Sequence, residues 1–401
     1  MKSLYLKSLC LLALAAGKGF ALSLYDTAPT IGLPESHAVR YSVSGSVGYD
    51  DNVNSQKTDK TSSLLLSASL GATYADFESA EKVSYSANLG ATYYLKSANS
   101  SGQKLFSNNS VSATWSHKLN DMMDNSMSLS VRYTPEPDYA NGISAARRQG
   151  DCFNWSVSDS FSRAMDARWS WSANASYSGN IYTNSTYQVD NRQYVNAGMS
   201  LSLRPGDLTS YSLSMSYRYD LRDYGYNSNN LSLTLGVNRS IDAFSSANLS
   251  VGIQQKLIHG KQIWSPNVRA GYNRRVAEGL SVNSYLSLDN ENIDTYRGVG
   301  LNYLSNPTWR VGANLSYSWH PELSFTMGCS LLQSNYSRGE RGLGNSSRTT
   351  VTPTLGVSFK FTDRLSGHVN YNCTISTSSN NGGGEYRYVR NHVTVGTSYS
   401  F

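Results

Sequence analysis

The chain has 401 residues, of which 15% are charged and 39% hydrophobic, and it contains 29 Tyr and 7 Trp. A disordered chain of such low hydrophobicity would be poor in aromatic residues, so the composition excludes general disorder and favours many short strands. The formal net charge is +6, and because the basic residues are spread along the chain, nucleic-acid binding is not expected.

The N-terminus has the organisation of a secretory signal peptide. Lys2 and Lys7 form a basic start, and a short apolar core and a small-residue cleavage site follow. We predict removal of residues 1–21, with residues 22–38 as a periplasmic tail and residues 39–401 as the folded unit. No later run of about 18 apolar residues occurs, so the sequence predicts no transmembrane helix.

From residue 39 onward, apolar and polar side chains alternate through segment after segment. The first segment places Val43 and Val47 on one face, and Ser44 and Ser46 on the other. Alternation with a period of two residues predicts β-strands. A polar mean hydropathy is compatible with a membrane-spanning barrel, because only alternate residues of each strand face lipid. Tyr and Trp cluster toward the ends of the apolar faces, as in the aromatic girdles of barrel walls.

The links between strands alternate in length, with short ones such as 204–207 and longer polar ones such as 96–109. Short periplasmic turns and long external loops are typical of outer-membrane barrels. About nineteen strands can be drawn, but the alternation fails between residues 279 and 336, and periplasmic termini require an even number. We predict an all-β fold, a transmembrane antiparallel up-and-down barrel of about eighteen strands, with sixteen or twenty as alternatives.

The first strand ends in GYDDNV, from Gly48 to Val53. This motif resembles the opening of the family known as β-barrel porin 2, some of whose relatives accompany exopolysaccharide export. The resemblance implies an outer-membrane barrel over nearly all of the mature chain and implies little about cargo. Taken alone, Asp50 and Asp51 indicate a polar exit from the strand, with calcium binding in the loop as the alternative.

Opposite the apolar faces, parity places basic side chains where a barrel has its water-filled lumen. The candidate pore-lining residues are Arg40, Arg132, Arg168, Arg218, Arg269, Arg310, Lys360 and Arg390. Inward acids are fewer, chiefly Asp289 and Glu291. Cations facing the water of a pore favour anions electrostatically. The alternative is that these side chains pair with loop acids or with lipopolysaccharide phosphates near the rims.

Two further features concern the wall and its loops. The loop at 135–150, which contains Arg147 and Arg148, is the candidate for folding inward as a constriction, and simple solvent exposure is the alternative. Parity places Asp159 on the lipid face. This acid either sits at the membrane interface, where its cost is small, or marks a β-bulge.

The last strand ends with Thr394, Gly396, Tyr399 and Phe401 at the spacing of an assembly signal. It resembles the C-terminal β-signal of outer-membrane proteins. The resemblance implies capture of this strand by the barrel-assembly machinery, with periplasmic chaperones as further partners.

No catalytic, metal-binding or cofactor constellation is readable in the sequence. The three cysteines beyond the signal segment are expected to be isolated thiols, with one disulfide as the alternative: Cys152, Cys329 and Cys373. We therefore predict no enzyme activity and no cofactor.

We predict a multi-pass barrel in the outer membrane of a diderm bacterium, surrounded by lipid and lipopolysaccharide. Its predicted role is passive diffusion of small hydrophilic solutes, with a weak preference for anions. The alternatives are an outer-membrane component of exopolysaccharide export and a non-conducting structural or adhesive barrel. A soluble β-sandwich is the least favoured, and homo-oligomerisation is left open.

Overall fold

The computed structural model describes residues 39–55, 57–76, 81–96, 104–134, 152–183, 191–223, 227–290, 303–339, 346–380 and 385–401. The predicted signal peptide and tail, Glu291, and the loop that carries Arg147 and Arg148 lie outside these residues. Within the described residues, no helix is long and apolar enough to cross a membrane.

Strands account for most of the described chain. In chain order they are β1 (Arg40–Asp50), β2 (Ser63–Asp76), β3 (Glu81–Tyr94), β4 (Leu105–Asn120), β5 (Met123–Thr134), β6 (Cys152–Ala164), β7 (Trp169–Tyr182), β8 (Arg192–Gly206), β9 (Thr209–Arg222), β10 (Ser228–Asp242), β11 (Ser245–Ile258), β12 (Lys261–Ala277), β13 (Leu280–Asn290), β14 (Tyr303–Ser305), β15 (Pro307–His320), β16 (Leu323–Gly339), β17 (Ser346–Lys360), β18 (Leu365–Asn380) and β19 (Glu385–Ser400).

The strands form one closed antiparallel barrel. Consecutive strands pair with each other, and β1 pairs with both β2 and β19, which closes the wall. Both β14 and β15 pair with β16, while β13 pairs with β15, so β14 and β15 share one position in the wall. Nineteen segments therefore make eighteen wall positions, and the predicted strand number is confirmed.

The interruption between β14 and β15 lies at Asn306 and Pro307. Proline has no N–H to donate to a neighbouring strand. The Asn306 N–H leaves the ladder and donates to the side-chain oxygen of Asn290 at 2.8 Å. This break splits one wall strand into the two segments β14 and β15. It lies between residues 279 and 336, where the alternation of short and long links in the sequence fails.

The two faces of the wall differ as the alternation predicts. Outward positions carry large apolar side chains that are more than half exposed, such as Leu89, Leu235 and Met327. Exposed apolar surface around a whole circumference is untenable in water, and a lipid bilayer is the solvent that suits it. The intervening residues face the lumen and are mostly Ser, Asn, Thr and Gly.

The two ends of the barrel have different links. At the turn end, strands are joined by two-residue links at 121–122, 207–208, 243–244, 278–279 and 321–322, and the described chain begins and finishes there. The opposite end is called the loop end below. One loop-end link is also short, because His259 and Gly260 both adopt positive φ, at 51° and 69°, as a type I′ hairpin turn requires.

The seam between the first and last strands is fully paired. Its register runs from Ser42 opposite Ser400 to Asp50 opposite His392. At the turn end, Tyr41 and Phe401 exchange two backbone hydrogen bonds of 2.9 Å, and their rings stack with centroids 5.8 Å apart.

Asp159 lies on the outward face, opposite Met127 of β5. The pairing of β6 with β5 and with β7 runs through this position without a shift, so the alternative of a β-bulge is wrong. Asn125 Nδ2 donates to Asp159 Oδ1 at 2.9 Å. An outward polar pair is least costly near the membrane surface, and Asn125 stands near the turn end of β5.

Candidate channel lumen

The wall of the lumen is lined by hydroxyl groups that bond across strands. Examples are Ser44 with Ser69 at 2.6 Å, Ser128 with Ser158 at 2.7 Å, and Ser216 with Ser232 at 2.6 Å. These small side chains satisfy one another without filling the barrel. A wall of this kind suits water and hydrophilic solutes and would make a poor apolar core.

One loop-end link folds into the lumen. The inward link, residues 51–62 with residue 56 not described, begins directly after β1. Its Val53 is 1% exposed and packs on the lumen-facing side chains Leu65, Tyr94 and Phe106. The Val53 N–H donates to the Thr61 carbonyl at 2.8 Å. Apolar burial thus holds this link against the inner wall, where it narrows the loop end of the barrel.

The polar residues of the GYDDNV motif form their hydrogen bonds at the seam between β1 and β19. Arg390 donates to Asp50 Oδ2 through Nε at 2.9 Å and through Nη2 at 2.6 Å. Asn391 Nδ2 donates to Asp51 Oδ2 at 2.6 Å, and Asn52 Nδ2 donates to the Val389 carbonyl at 2.8 Å. We call Asp50, Asp51, Asn52, Arg390 and Asn391 the seam cluster, which ties the end of β1 to β19.

A second cluster lies on the lumen face of β8 to β11. We call Arg192, Tyr194, Arg218, Asp220, Arg222 and Lys256 the basic cluster. Arg218 Nε donates to Asp220 Oδ1 at 2.9 Å, and Arg218 Nη2 forms an ion pair with the same oxygen at 2.9 Å. Its guanidinium carbon also lies 4.1 Å from the centre of the Tyr194 ring, and that of Arg192 lies 5.3 Å from the same ring.

The two clusters face each other across the loop end of the lumen. Asp50 ends β1, and Asp220 is close to the end of β9. These strands are eight positions apart on a circuit of eighteen, close to half a turn. Two opposite walls of the loop end therefore both carry arginines that face the lumen.

The predicted pore-lining residues fall into three groups. Arg218 and Arg390 belong to the two clusters. Arg132 and Arg310 are at lumen-facing positions of β5 and β15, and Arg269 lies 3.3 Å from Asp289 on β12 and β13. Those at the turn end are Arg40, the first residue of β1, and Lys360, the last residue of β17.

Arg168 differs from the prediction. It stands in the exposed turn between β6 and β7, one residue before β7 begins, and so it is not on a strand wall. The alternation of β7 ends at Trp169, and Arg168 belongs to a turn in which Asp166 Oδ1 accepts the backbone N–H groups of Arg168 and Trp169.

The predicted set lacks several lumen-facing cations, among them Arg192, Arg222, Lys256 and Arg348. The sequence alone predicts that Arg192 and Lys256 face the lumen, because the outward residues Val195 and Leu257 stand at positions of the opposite parity. What the sequence does not contain is the register that sets Arg192 directly opposite Arg222.

The predicted assembly signal lies on the last strand. Tyr399 and Phe401 point outward, 43% and 56% exposed, and their rings stack with centroids 6.0 Å apart. Gly396 faces inward, where a Cβ would meet the His368 ring at 2.7 Å. Thr394 stands opposite Gly48 across the seam. Recognition of these residues by assembly machinery stays a prediction.

Several exposed carboxylates at the turn end have lowered pKa values, and two of them illustrate the causes. The backbone N–H groups of Arg168 and Trp169 donate to Asp166 Oδ1 at 2.7 and 2.8 Å, and they hold the pKa of Asp166 below its usual range. The Lys360 ammonium lies 2.6 Å from Asp363 Oδ1 and lowers the pKa of Asp363. Both acids are exposed turn residues outside the strands.

The three described cysteines are free thiols. Cys152 and Cys373 are buried, and Cys329 is exposed on the outward face of β16. The alternative of a disulfide among Cys152, Cys329 and Cys373 is therefore wrong.

The closed wall, its polar lumen and its apolar exterior define a β-barrel of the outer-membrane type. OccK2 (OpdF) of Pseudomonas aeruginosa has a similar fold, with a TM-score of 0.51 at 13% identity over 90% of this chain and 98% of that chain. OccAB4 of Acinetobacter baumannii gives 0.49 at 10% identity, over 92% and 99%. The outer membrane protein OpdK of P. aeruginosa gives 0.49 at 9% identity, over 91% and 99%.

Sequence comparison adds no family. No family model matches the chain, and no curated protein matches it. The likeness to OccK2 (OpdF) supports the fold, while the resemblance to the β-barrel porin 2 family stays a prediction.

Proposed function

We propose that this protein is an outer-membrane channel through which small hydrophilic solutes diffuse passively, with a preference for anions. Outer-membrane lipid and lipopolysaccharide surround its apolar exterior, and the polar lumen is the path. No energy coupling is involved. The inward link narrows the path from one wall, and fixed charge on the inner surface selects among the solutes.

One observation carries the anion preference, the excess of cations on the lumen face of the loop-end half of the described strands. Its cations include Arg132, Arg192, Arg218, Arg222, Lys256, Arg269, Arg310, Arg348 and Arg390. Its acids are Asp50, Asp220 and Asp289. A channel wall of one dominant sign raises the local concentration of the opposite ion and lowers its barrier to entry.

The test is the reversal potential of the refolded barrel in a planar bilayer under a KCl gradient. The expected result is stable conductance with chloride more permeant than potassium. Cation preference would overturn the charge argument. A complete lack of conductance would overturn the channel itself and favour the structural or adhesive alternative.

The exporter alternative calls for a track of aromatic rings along the lumen. The lumen-facing aromatics among the described residues include Tyr94, Phe106, Tyr182, Tyr194, Tyr285, Tyr336 and Tyr388. Tyr94, Phe106, Tyr182 and Tyr388 are buried in the wall, so these rings give a polymer little surface to slide along. Diffusion of small solutes is the better supported proposal, and efflux from polymer-loaded liposomes would separate the two.

A further inference from the structure

The ring of Tyr285 is open to the lumen, although it lies close to the wall. Tyr285 of β13 is 38% exposed, and it stands directly between two glycines, Gly271 of β12 and Gly312 of β15. A Cβ atom at Gly312 would meet the Tyr285 ring at 2.5 Å, so the ring occupies the space of the missing side chain. This glycine thus lets the ring lie over β15 while part of its surface faces the solvent of the lumen.

Exposed amide side chains border this ring on its turn-end side. Asn283 stands two residues before Tyr285 on the same face of β13, and it pairs with Asn273 of β12 and Asn314 of β15. These asparagines form one row that faces the lumen. Directly opposite Cβ atoms are about 4.5–5.5 Å apart and diagonal ones about 7–8 Å, so one small ligand can contact the ring and the amides together. We call Tyr285, Asn273, Asn283 and Asn314 the amide–tyrosine patch.

An open recess adjoins the patch at the turn end of the lumen. Its volume is about 570 Å³, and its lining includes Asn273, Asn283 and Asn314. Sites for small molecules have volumes of about 300–1,000 Å³. The rest of the lining is largely serine, and its charged residues are Asp242, Arg274 and Arg275. The recess therefore has room for a small hydrophilic solute at the place where the amides are exposed.

Stability of the wall explains only part of this arrangement. Aromatic packing over a glycine stabilises a sheet, and this accounts for Tyr285 beside Gly312. It does not account for the amides, because the wall elsewhere is lined by hydroxyl groups that bond across strands, as Ser128 does with Ser158. A row of exposed amides beside an exposed ring offers donors, acceptors and an apolar surface to a ligand.

We infer that the amide–tyrosine patch is a binding site for neutral sugars. The inference rests on the proposed channel function and adds a solute class that the charge of the lumen does not select. A side-chain amide both donates and accepts hydrogen bonds, as a sugar hydroxyl does. The C–H face of a pyranose packs on an aromatic ring, whose own face is electronegative. None of the four patch side chains is an ionisable carboxylate or a cation, so the patch itself gives anions no advantage.

The test uses methyl β-D-glucopyranoside as probe and the barrel refolded in lauryldimethylamine oxide, a detergent without a sugar headgroup. Saturation-transfer NMR measures binding without requiring conductance, and it reports which protons of the sugar touch the protein. We expect saturable binding with the strongest transfer to the C–H protons of one ring face. Sorbitol carries hydroxyl groups on an open chain without a ring face, so it should not compete. Competition by sorbitol at equal concentration would overturn the site.

Three substitutions separate the ring, its hydroxyl group and the amides. Tyr285→Leu keeps an apolar side chain over Gly312 and removes the ring, so it should weaken glucoside binding by about tenfold. Tyr285→Phe keeps the ring and should stay within about threefold of wild type. Asn283→Ala should weaken binding by about 2- to 10-fold, the effect of losing one hydrogen bond. Heat-modifiable migration on gels shows that each variant is folded.

Asn174→Ala is the matched control. Asn174 is also an exposed lumen-facing asparagine beside a glycine, since a Cβ atom at Gly198 would meet its Oδ1 at 2.5 Å. It lies on β7, six wall positions from β13. Its substitution should therefore leave the affinity for the glucoside unchanged within about twofold.

The outcomes separate the site from the channel. Wild-type affinity in Tyr285→Leu would mean that the ring only covers Gly312, and the site would be wrong. Equal losses in Asn283→Ala and Asn174→Ala would also overturn it, and tighter binding of adenosine than of the glucoside would overturn the sugar assignment. A barrel that conducts without binding the glucoside keeps the channel and loses the site. Binding that depends on Tyr285 in a barrel that does not conduct overturns the channel and leaves the site standing.

Discussion

Two fully buried aspartates stand on nearly opposite walls of the lumen, and each forms an ion pair with one arginine. Asp50 and Arg390 join the first strand to the last, and the neighbouring residues Asp51 and Asn52 bond to β19 as well. Asp220 and Arg218 lie on the same strand, two residues apart. The first ion pair therefore connects the two strands that close the barrel, whereas the second lies within the single strand β9.

Their surroundings differ as well. Asp50 Oδ1 accepts from the Asn52 backbone at 3.0 Å, so this carboxylate serves the inward link and the seam together. Asp220 stands among Arg192, Arg222 and Lys256, where cations outnumber it. The same kind of ion pair thus contributes to closure on one wall and lies within a group of cations on the other.

The largest expected effect is from Asp50→Ala. It leaves the mostly buried Arg390 without its carboxylate, and breaking a buried pair from one side costs about 3–5 kcal/mol. We expect the heat-modifiable form on gels to unfold at a clearly lower temperature. The double variant Asp50→Leu with Arg390→Met removes both charges and should recover most of the loss. A double variant no better than Asp50→Ala would show that closure does not depend on this pair.

The next effect contrasts the two aspartates directly. Asp220→Asn removes the acid of the basic cluster, and the cost is about 1–3 kcal/mol for the unsatisfied charges. An oxyanion that binds the folded cluster should restore stability by mass action. We expect added phosphate to raise the unfolding midpoint of Asp220→Asn far more than that of the matched variant Asp50→Asn. Equal rescue in both variants would remove the distinction between the clusters.

The sequence predicts the wall better than it predicts the clusters. Alternation is a local property, so the inward positions of Arg218 and Arg390 follow from parity alone. Their partners are not local. Asp50 and Arg390 are 340 residues apart, and only closure of the barrel brings them together. The opposition of Arg192 and Arg222 likewise depends on the link at 207–208 and on the register shift between Leu203 and Gly206 in the pairing of β8 with β9.

The inward link shows the same limit in a loop. Parity places Leu65, Tyr94 and Phe106 on the lumen side, where apolar residues contradict a simple polar-in pattern. That contradiction was the available signal for a covering segment, but it does not identify Val53 as the residue that covers them. The prediction chose the longer loop at 135–150, because length and arginines are visible in a sequence and apolar docking is not.

A smaller effect separates pore size from pore charge. Val53→Ser should weaken the docking of the inward link by about 1.5 kcal/mol or more, because most of the apolar transfer energy of the valine is lost. The link lies outside the strand ladder, so the unfolding midpoint should hardly change. We expect larger single-channel conductance with unchanged anion preference. Thr58→Ser, at an exposed position of the same link, is the matched control. A shift in selectivity without a change in conductance would contradict this assignment.

The smallest effect concerns an exposed carboxylate, which serves as a reference for the two buried ones. Backbone N–H groups stabilise the ionised form of Asp166, so its pKa is lowered in the folded barrel relative to about 3.9 in the unfolded chain. Its contribution to stability is therefore complete above that value and is lost as pH falls through the folded pKa. Asp166→Asn keeps a side-chain acceptor and does not titrate. The difference in unfolding midpoint between wild type and Asp166→Asn should be small and constant from pH 7 to about pH 5, and should shrink below about pH 4. Other carboxylates titrate in both proteins and cancel, so a difference that grows as pH falls would show that repulsion from neighbouring acids, rather than the two backbone bonds, governs this turn.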